Sequence, residues 1–259
     1  MQCVRTDKTY FRDSDRLWYG CRSGIPALCL HLDAPETLLF KNRKKIKAGA
    51  VNGFFIKRYN LSGFFNQLRS YWKTPRPFRV ERGAELLALA DIKTPEVFAA
   101  LISWKGFIRQ EYLVTALLDE KNQFLNKMLF SGGKDEVWQI LTDKFIPALA
   151  RLHDAGAIHG DLSMRNLYLS EDGHAGMIDL DGMKFFSGKV PAAAREAELG
   201  RLISSFYMCI PEVPKEKGGD AVVPEEMTAQ AVKCYPAQID MEKVRNHTAR
   251  FIRRGRKYL

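Results

Sequence analysis

The sequence predicts an α+β protein of two lobes: a small antiparallel β lobe with one helix, then a larger, mainly helical lobe. Three observations carry that prediction. Short β-branched and aromatic runs fill the front half, a long helical pattern opens the back half, and the character changes near residues 115–120. The lobes are placed at 1–117 and 118–259.

Taken in order, residues 1–35 give mixed signals and are assigned no element. β-prone runs at 37–40 and 53–59 flank the basic stretch KNRKKIK. Asn52-Gly53 is a hairpin-turn signal, because both residue types tolerate positive φ, so NGFFIKRY reads as a hairpin's second strand. Residues 61–77, with Gly63, Pro75 and Pro77, read as a connection. Val80, Ala84, Leu87 and Ala88 recur at helical spacing, which predicts a helix over 78–90 in spite of Gly83. Thr94-Pro95 stops it, since the residue before a proline is pushed out of the helical region. Residues 96–118 read as two antiparallel strands turning at Lys105-Gly106. A short helix at 120–131 precedes a long one at 135–156, whose apolar residues include Val137, Leu141, Phe145, Leu149 and Leu152 and whose stop is Gly156. Strands are expected at 167–169 and through Met177-Ile178-Asp179, joined by a turn at Glu171-Asp172-Gly173. Residues 192–210 read as a helix, 211–225 as a polar connection rich in Pro and Gly, and a basic helix closes the chain.

Composition removes several classes. With 46% hydrophobic and 27% charged residues the chain is neither disordered nor fibrous. No run approaches the roughly 18 apolar residues of a membrane span, and the opening MQCVRTDKTYFRDSDR is too charged for a secretory signal. Five cysteines without C-x-x-C spacing suggest neither zinc nor a disulfide framework and fit a reducing cytosol. The net charge of +10 points to phosphate-bearing partners. Five of the seven residues at 41–47 are basic, as are Arg250, Arg253, Arg254, Arg256 and Lys257 in the tail.

Phosphoryl transfer asks a protein mainly for positioning and charge: a carboxylate near the attacking hydroxyl, metal ligands, and a cation on the phosphates. HGDLSMRN, at 159–166, offers Asp161 for the hydroxyl proton and Asn166 as a neutral oxygen donor to a metal. Asp179 stands eighteen residues beyond Asp161, the span of a strand–turn–strand hairpin that returns to its start. Lys57 in FFIK is the candidate phosphate cation and Glu85, on the next helix, its candidate partner. Glu81 lies one turn earlier and competes with Glu85, as Asp181 competes with Asp179.

These motifs resemble the protein-kinase-like superfamily. H-G-D-L-x-x-x-N is similar to the catalytic-loop pattern with Gly160 in place of an arginine, FFIK stands where the strand lysine would, and IDLDG stands where the metal aspartate would. Within that superfamily FFIKRYN, the T-P after the helix, YLVT before the lobe junction and the Arg-rich tail resemble the bacterial lipopolysaccharide core kinases. The resemblance covers about residues 36–210 and implies ATP and Mg²⁺ as cofactors. It implies Asp161 as catalytic residue, Asn166 and Asp179 as metal ligands, and Lys57, Glu85 and the backbone at Thr115, Ala116 and Leu117 as nucleotide contacts. His159 is expected to support the loop, His153 and His174 to be ordinary surface or turn residues, and Trp72, Trp104 and Trp138 to pack in the core or at an interface.

The acceptor so implied is a Kdo or heptose hydroxyl of an anionic glycolipid, the lipopolysaccharide inner core. The enzyme would be cytoplasmic and peripheral to the inner membrane, touching its anionic surface through the basic segments, and nucleic acid is not the expected partner. One departure stands out: no G-x-G-x-x-G precedes Lys57, and the segment offers only Gly49 and Gly53. Alternative readings are a small-molecule phosphotransferase of the aminoglycoside or choline kind, a RIO-type kinase, and a non-catalytic basic binding module. The last predicts loss of one of Lys57, Asp161, Asn166 or Asp179, and all four are present.

Overall fold

A computed structural model describes residues 9–13, 16–20, 29–34, 37–61, 63–131, 133–210 and 225–255. The α+β class holds. The chain divides into two compact units, Met1–Ala84 with Pro95–Leu118 and Glu85–Thr94 with Asp119–Leu259.

The first unit is built on an antiparallel sheet of β1 (Thr9–Asp13), β2 (Arg16–Gly20), β3 (Leu38–Arg43), β4 (Ile46–Val51), β5 (Phe54–Asn60), β6 (Val97–Lys105) and β7 (Ile108–Ala116). Their order is β1-β2-β6-β7-β5-β4-β3. Trp18, Leu32, Ile56, Leu101, Tyr112 and Val114 form its core. The turn between β4 and β5 has φ 48° at Asn52 and 80° at Gly53, the doubly positive geometry that its Asn-Gly signal announces.

Four features of this unit differ from expectation. The hairpin β1–β2 occupies part of the unassigned N-terminal stretch and joins the sheet through β2, with Trp18 opposite Ser103 of β6. KNRKKIK is not a spacer between strands: it ends β3, turns at Lys44 and Lys45, and begins β4. All six residues of β3 are exposed at the sheet edge, where charge costs little and discourages pairing with another chain. A second helix, α1 (Phe64–Ser70), lies in the expected connection. The following helix, α2 (Arg76–Leu89), begins two residues before the expected start, with Pro77 in the first turn, where a missing N–H is harmless.

Residues 90–93 show why the end of α2 groups with the second unit. Lys93 N–H donates to Ala175 O at 2.9 Å, Met177 N–H donates to Lys93 O at 2.8 Å, and Arg151 Nε–H donates to Ala90 O at 2.8 Å. The second unit continues with β8 (Gln123–Phe124), α3 (Leu125–Ser131), α4 (Lys134–Ile140), a π-helical turn at Leu141–Phe145 and α5 (Ile146–Asp154). The helix expected at 135–156 is thus two helices around a widened turn. Pro147, which has no N–H, removes an intrahelical bond there and supplies the physical cause.

Beyond α5 come β9 (Ala157–Ile158), β10 (Leu167–Leu169), β11 (Ala175–Met177) and β12 (Lys184–Phe185). Strand β10 pairs with β11 and β8, and β9 with β12. Helices α6 (Ala192–Cys209), α7 (Glu225–Cys234) and α8 (Met241–Gly255) follow. The polar segment read at 211–225 lies outside the described residues except for Glu225, and Arg256 and Lys257 lie outside them too.

Helix α8 buries Val244, Thr248 and Ile252, one residue per turn, and meets α6 at Gly200. A Cβ there would stand 2.8 Å from His247 Cβ and 3.0 Å from Val244 O. Gly200→Leu is therefore expected to cost about 1–3 kcal/mol by overpacking, read as a fall in the urea midpoint.

Candidate active site

The HGD segment leaves β9 and is held from beneath by one carboxylate. Glu198 of α6 accepts from His159 N–H (Oε2, 3.0 Å) and from Gly160 N–H (Oε1, 2.6 Å). Its Oε2 also lies 3.0 Å from His153 Nε2, whose other ring nitrogen is 2.6 Å from the Tyr235 hydroxyl. A carboxylate only accepts, so His153 Nε2 carries a proton and, in the neutral ring, Tyr235 donates to Nδ1. Burial alone pushes the Glu198 carboxyl up. The hydrogen bond and charge of His153, the charge of His159 and the Gly160 N–H outweigh it and hold the carboxyl below its ordinary value. Burial pushes the Tyr235 hydroxyl up to about 12, so it stays a neutral donor.

His153, expected at the surface, is fully buried in this network. Neither Glu198 nor Tyr235 was a candidate from the sequence. The available signal was a glutamate inside the helical stripe AAAREAELGRLISSF, next to Leu199, on a face that proves buried.

Gly160 has φ +79°, and a Cβ there would lie 2.1 Å from Gly182 O. The position that other catalytic loops fill with arginine has no room here for any side chain. Its residue instead brings the loop backbone against the turn after Asp179.

Asp161 exposes its carboxylate, with Oδ1 2.9 Å from Arg201 Nη1 of α6. The Arg201 guanidinium in turn lies 4.6 Å from the ring centroid of Phe251 on α8. Arg201 is a third residue that sequence reasoning missed, forty positions from its partner and without a motif around it. Asn166 closes the loop: its Nδ2–H₂ donates to Asp161 O at 2.9 Å, which turns Oδ1 the opposite way. Its own carbonyl accepts from Ile178 N–H at 2.9 Å. His159 is buried, and its Nε2 is 2.9 Å from Ile178 O, so it supports the backbone as expected.

The β10–β11 hairpin thus returns the chain to its start, with Leu167 opposite Met177. The strand ends at Met177, however, and Asp179 lies beyond it with φ 60° and ψ 52°. A non-glycine residue pays for this left-handed conformation, and such strain concentrates at functional positions. Asp179 is exposed and Asp181 half-buried. Asp179 and Asn166 are hard oxygen donors on adjoining segments, which fits a magnesium ion that takes its remaining ligands from phosphates and water. No group of three or more His, Cys, Asp or Glu that could hold a metal unaided is found among the described residues.

In the first unit Lys57 is central in β5, between Ala48 and Leu113, and only 8% exposed. Its Nζ is 5.4 Å from the centroid of the buried Tyr59 ring. On α2, Glu85 is exposed and Glu81 half-buried. At the end of β7, Thr115 is buried and its Oγ1–H donates to Ala116 O at 3.1 Å. Ala116 N–H donates to Glu96 O at 2.9 Å, and Leu117 is 43% exposed.

A model of the lipopolysaccharide kinase (Kdo/WaaP) family matches residues 56–232. The chain belongs to that family. This lipopolysaccharide kinase carries Lys57, Asp161, Asn166, Asp179, Glu198 and Arg201 within the matched span. Among solved structures it resembles WaaP in complex with acyl carrier protein, with a TM-score of 0.59 and 14% identity over 92% of this chain and 97% of that one. That likeness shows a shared fold. A co-crystal structure of WbdD with a kinase inhibitor matches at a TM-score of 0.45 and 16% identity, over 84% of this chain and 45% of that one. No curated protein sequence matches this lipopolysaccharide kinase.

Proposed function

We propose that this lipopolysaccharide kinase transfers the terminal phosphoryl group of ATP, with Mg²⁺, to a Kdo or heptose hydroxyl of the lipopolysaccharide inner core, working at the cytoplasmic face of the inner membrane. The observation that carries this reading is the Asp161 carboxylate, exposed at a loop pinned by Glu198 and oriented by Arg201. One oxygen of Asp161 pairs with Arg201 and the other can accept the acceptor hydroxyl's proton. Asn166 Oδ1 and the Asp179 carboxylate are the ligands for magnesium, which when bound offsets charge on the phosphate oxygens. Lys57 steadies the phosphates. Ala116 N–H is already engaged at Glu96, so adenine is left with the Ala116 carbonyl, which has a second lone pair, and the backbone of Leu117.

A nearly buried ammonium is costly without a counter-charge. Glu81, half-buried and in the same compact unit as Lys57, suits that role better than the exposed Glu85. The test is a magnesium-dependent thermal shift with ATP. A clear shift is expected in the wild type, reduced in Glu81→Gln and retained in Glu85→Gln. No shift in the wild type contradicts the nucleotide reading, and the reverse order of the variants returns the role to Glu85.

Arg201→Ala is expected to slow transfer by up to about 10²-fold through loss of orientation of Asp161, with ATP affinity preserved. Comparison of kcat with the KM for ATP checks it. Phe251→Ala should act in the same direction and more weakly.

A further inference from the structure

Helix α1 and the turn after it leave a row of large apolar side chains in solvent. Phe65 is 82% exposed, Leu68 44% and Trp72 77%. Phe65 and Leu68, three positions apart, lie on one side of α1, and Trp72 follows them in the turn after the helix. Core or interface packing was the expectation for Trp72, and its exposure removes the core. Single exposed apolar residues are ordinary, but aromatic, leucine and tryptophan side chains aligned beside cations are the composition of a segment that lies in a bilayer interface.

Cations from this segment, from the start of α2 and from the β3–β4 turn edge a cavity of about 200 Å³. Lys45, Arg69, Lys73, Arg76 and Arg79 line it, against one carboxylate, Glu111. Both oxygens of Glu111 are already engaged: Oε1 accepts from Arg109 Nη2 at 2.8 Å and Oε2 from Arg76 N–H at 2.9 Å. Arg109, itself buried, forms an ion pair with Glu111, so the two together leave the charge of the cavity's cations uncancelled. Lys45, Arg69, Lys73 and Arg76 bring like charges around so small a space, and an anion with several oxygen acceptors offsets their repulsion while taking charge-assisted hydrogen bonds. Lys45 comes from the turn of KNRKKIK, so part of that basic stretch has this destination. Its Lys47 pairs instead with Asp33 at 2.7 Å.

We propose that the surface formed by Phe65, Leu68 and Trp72 with the basic cavity beside them is where this protein docks on an anionic phospholipid bilayer. The apolar row enters the interface and a lipid headgroup phosphate enters the cavity. The apolar row favours a bilayer over a free phosphate or a nucleic acid, since neither of those has an apolar phase to receive Phe65 and Leu68. The inference deepens the reading above and rests on its membrane-borne acceptor. It assigns the contact to α1 and the start of α2 rather than to the basic tail.

The test is co-sedimentation of the full chain with vesicles of phosphatidylglycerol or of phosphatidylcholine, free of lipopolysaccharide. Binding to the anionic vesicles is expected to be tighter than to the neutral ones by about tenfold or more. Phe65→Ser/Trp72→Ser and Arg69→Ala/Lys73→Ala should each weaken it by about tenfold. All four side chains are exposed, so both variants should keep the wild-type thermal midpoint. Wild-type binding by either double variant overturns the proposal, as does failure to bind anionic vesicles. A shift with inorganic phosphate, lost in Arg69→Ala/Lys73→Ala but without vesicle binding, would assign the cavity to a free phosphate and overturn membrane docking. Because the vesicles carry no acceptor sugar, docking can fail while transfer to detergent-dispersed glycolipid persists, and transfer can fail while docking persists.

Discussion

Asp161→Asn is expected to lower phosphoryl transfer by about 10²–10⁴-fold, the range lost with a general base, while the ATP-dependent thermal shift stays at its wild-type size. The substitution keeps the shape of the side chain and one acceptor oxygen, and Arg201 Nη1 loses only charge assistance at 2.9 Å. The Asn166 bond to this residue goes to its backbone carbonyl and is untouched. What disappears is the basic oxygen that takes the hydroxyl proton. Transfer at near the wild-type rate would remove Asp161 from the role of base.

Glu198→Ala is expected to cost about 3–5 kcal/mol, as for removal of one partner from a buried charged network. That is a large part of the stability of an ordinary domain. Three donors lose their acceptor at once: His159 N–H, Gly160 N–H and His153 Nε2–H. Two of them belong to the HGD backbone, so the loop should loosen and turnover should fall with stability. The sign with pH follows from the lowered carboxyl. Its contribution is fully present above the unfolded value, about 4.5, and is lost as pH falls through the lower folded value. Urea unfolding at neutral pH and below about pH 4.5 should show the gap between wild type and variant closing on the acid side. A gap that stays constant into that acid range contradicts the account of Glu198.

The HGD loop was legible because its candidate residues are packed into one segment. HGDLSMRN names its residues in order, and the eighteen residues to Asp179 encode the returning hairpin. The residues that hold the loop come from elsewhere. Glu198 and Arg201 reach it from α6, and a helical pattern reports which face is buried without saying what that face meets. Gly160 was read as an absent arginine. Its reason, the Gly182 carbonyl in its way, exists only in three dimensions. The β1–β2 hairpin was illegible for a related reason, since Leu17 finds its sheet partner in Trp104. Only the first half of β3 was read, at 37–40, because an edge strand need bury nothing and the charges of its second half read as loop. The π-turn, by contrast, had a visible cause in Pro147 that the apolar periodicity outweighed.

The central claim is that this member of the family phosphorylates the lipopolysaccharide core through Asp161. The most direct measurement is transfer of label from radiolabelled ATP, with Mg²⁺, to deep-rough lipopolysaccharide in detergent. The account predicts label in the glycolipid with the wild type and none above background with Asp161→Asn. An unlabelled glycolipid with a wild type that binds ATP and magnesium, or equal label with the variant, would contradict it.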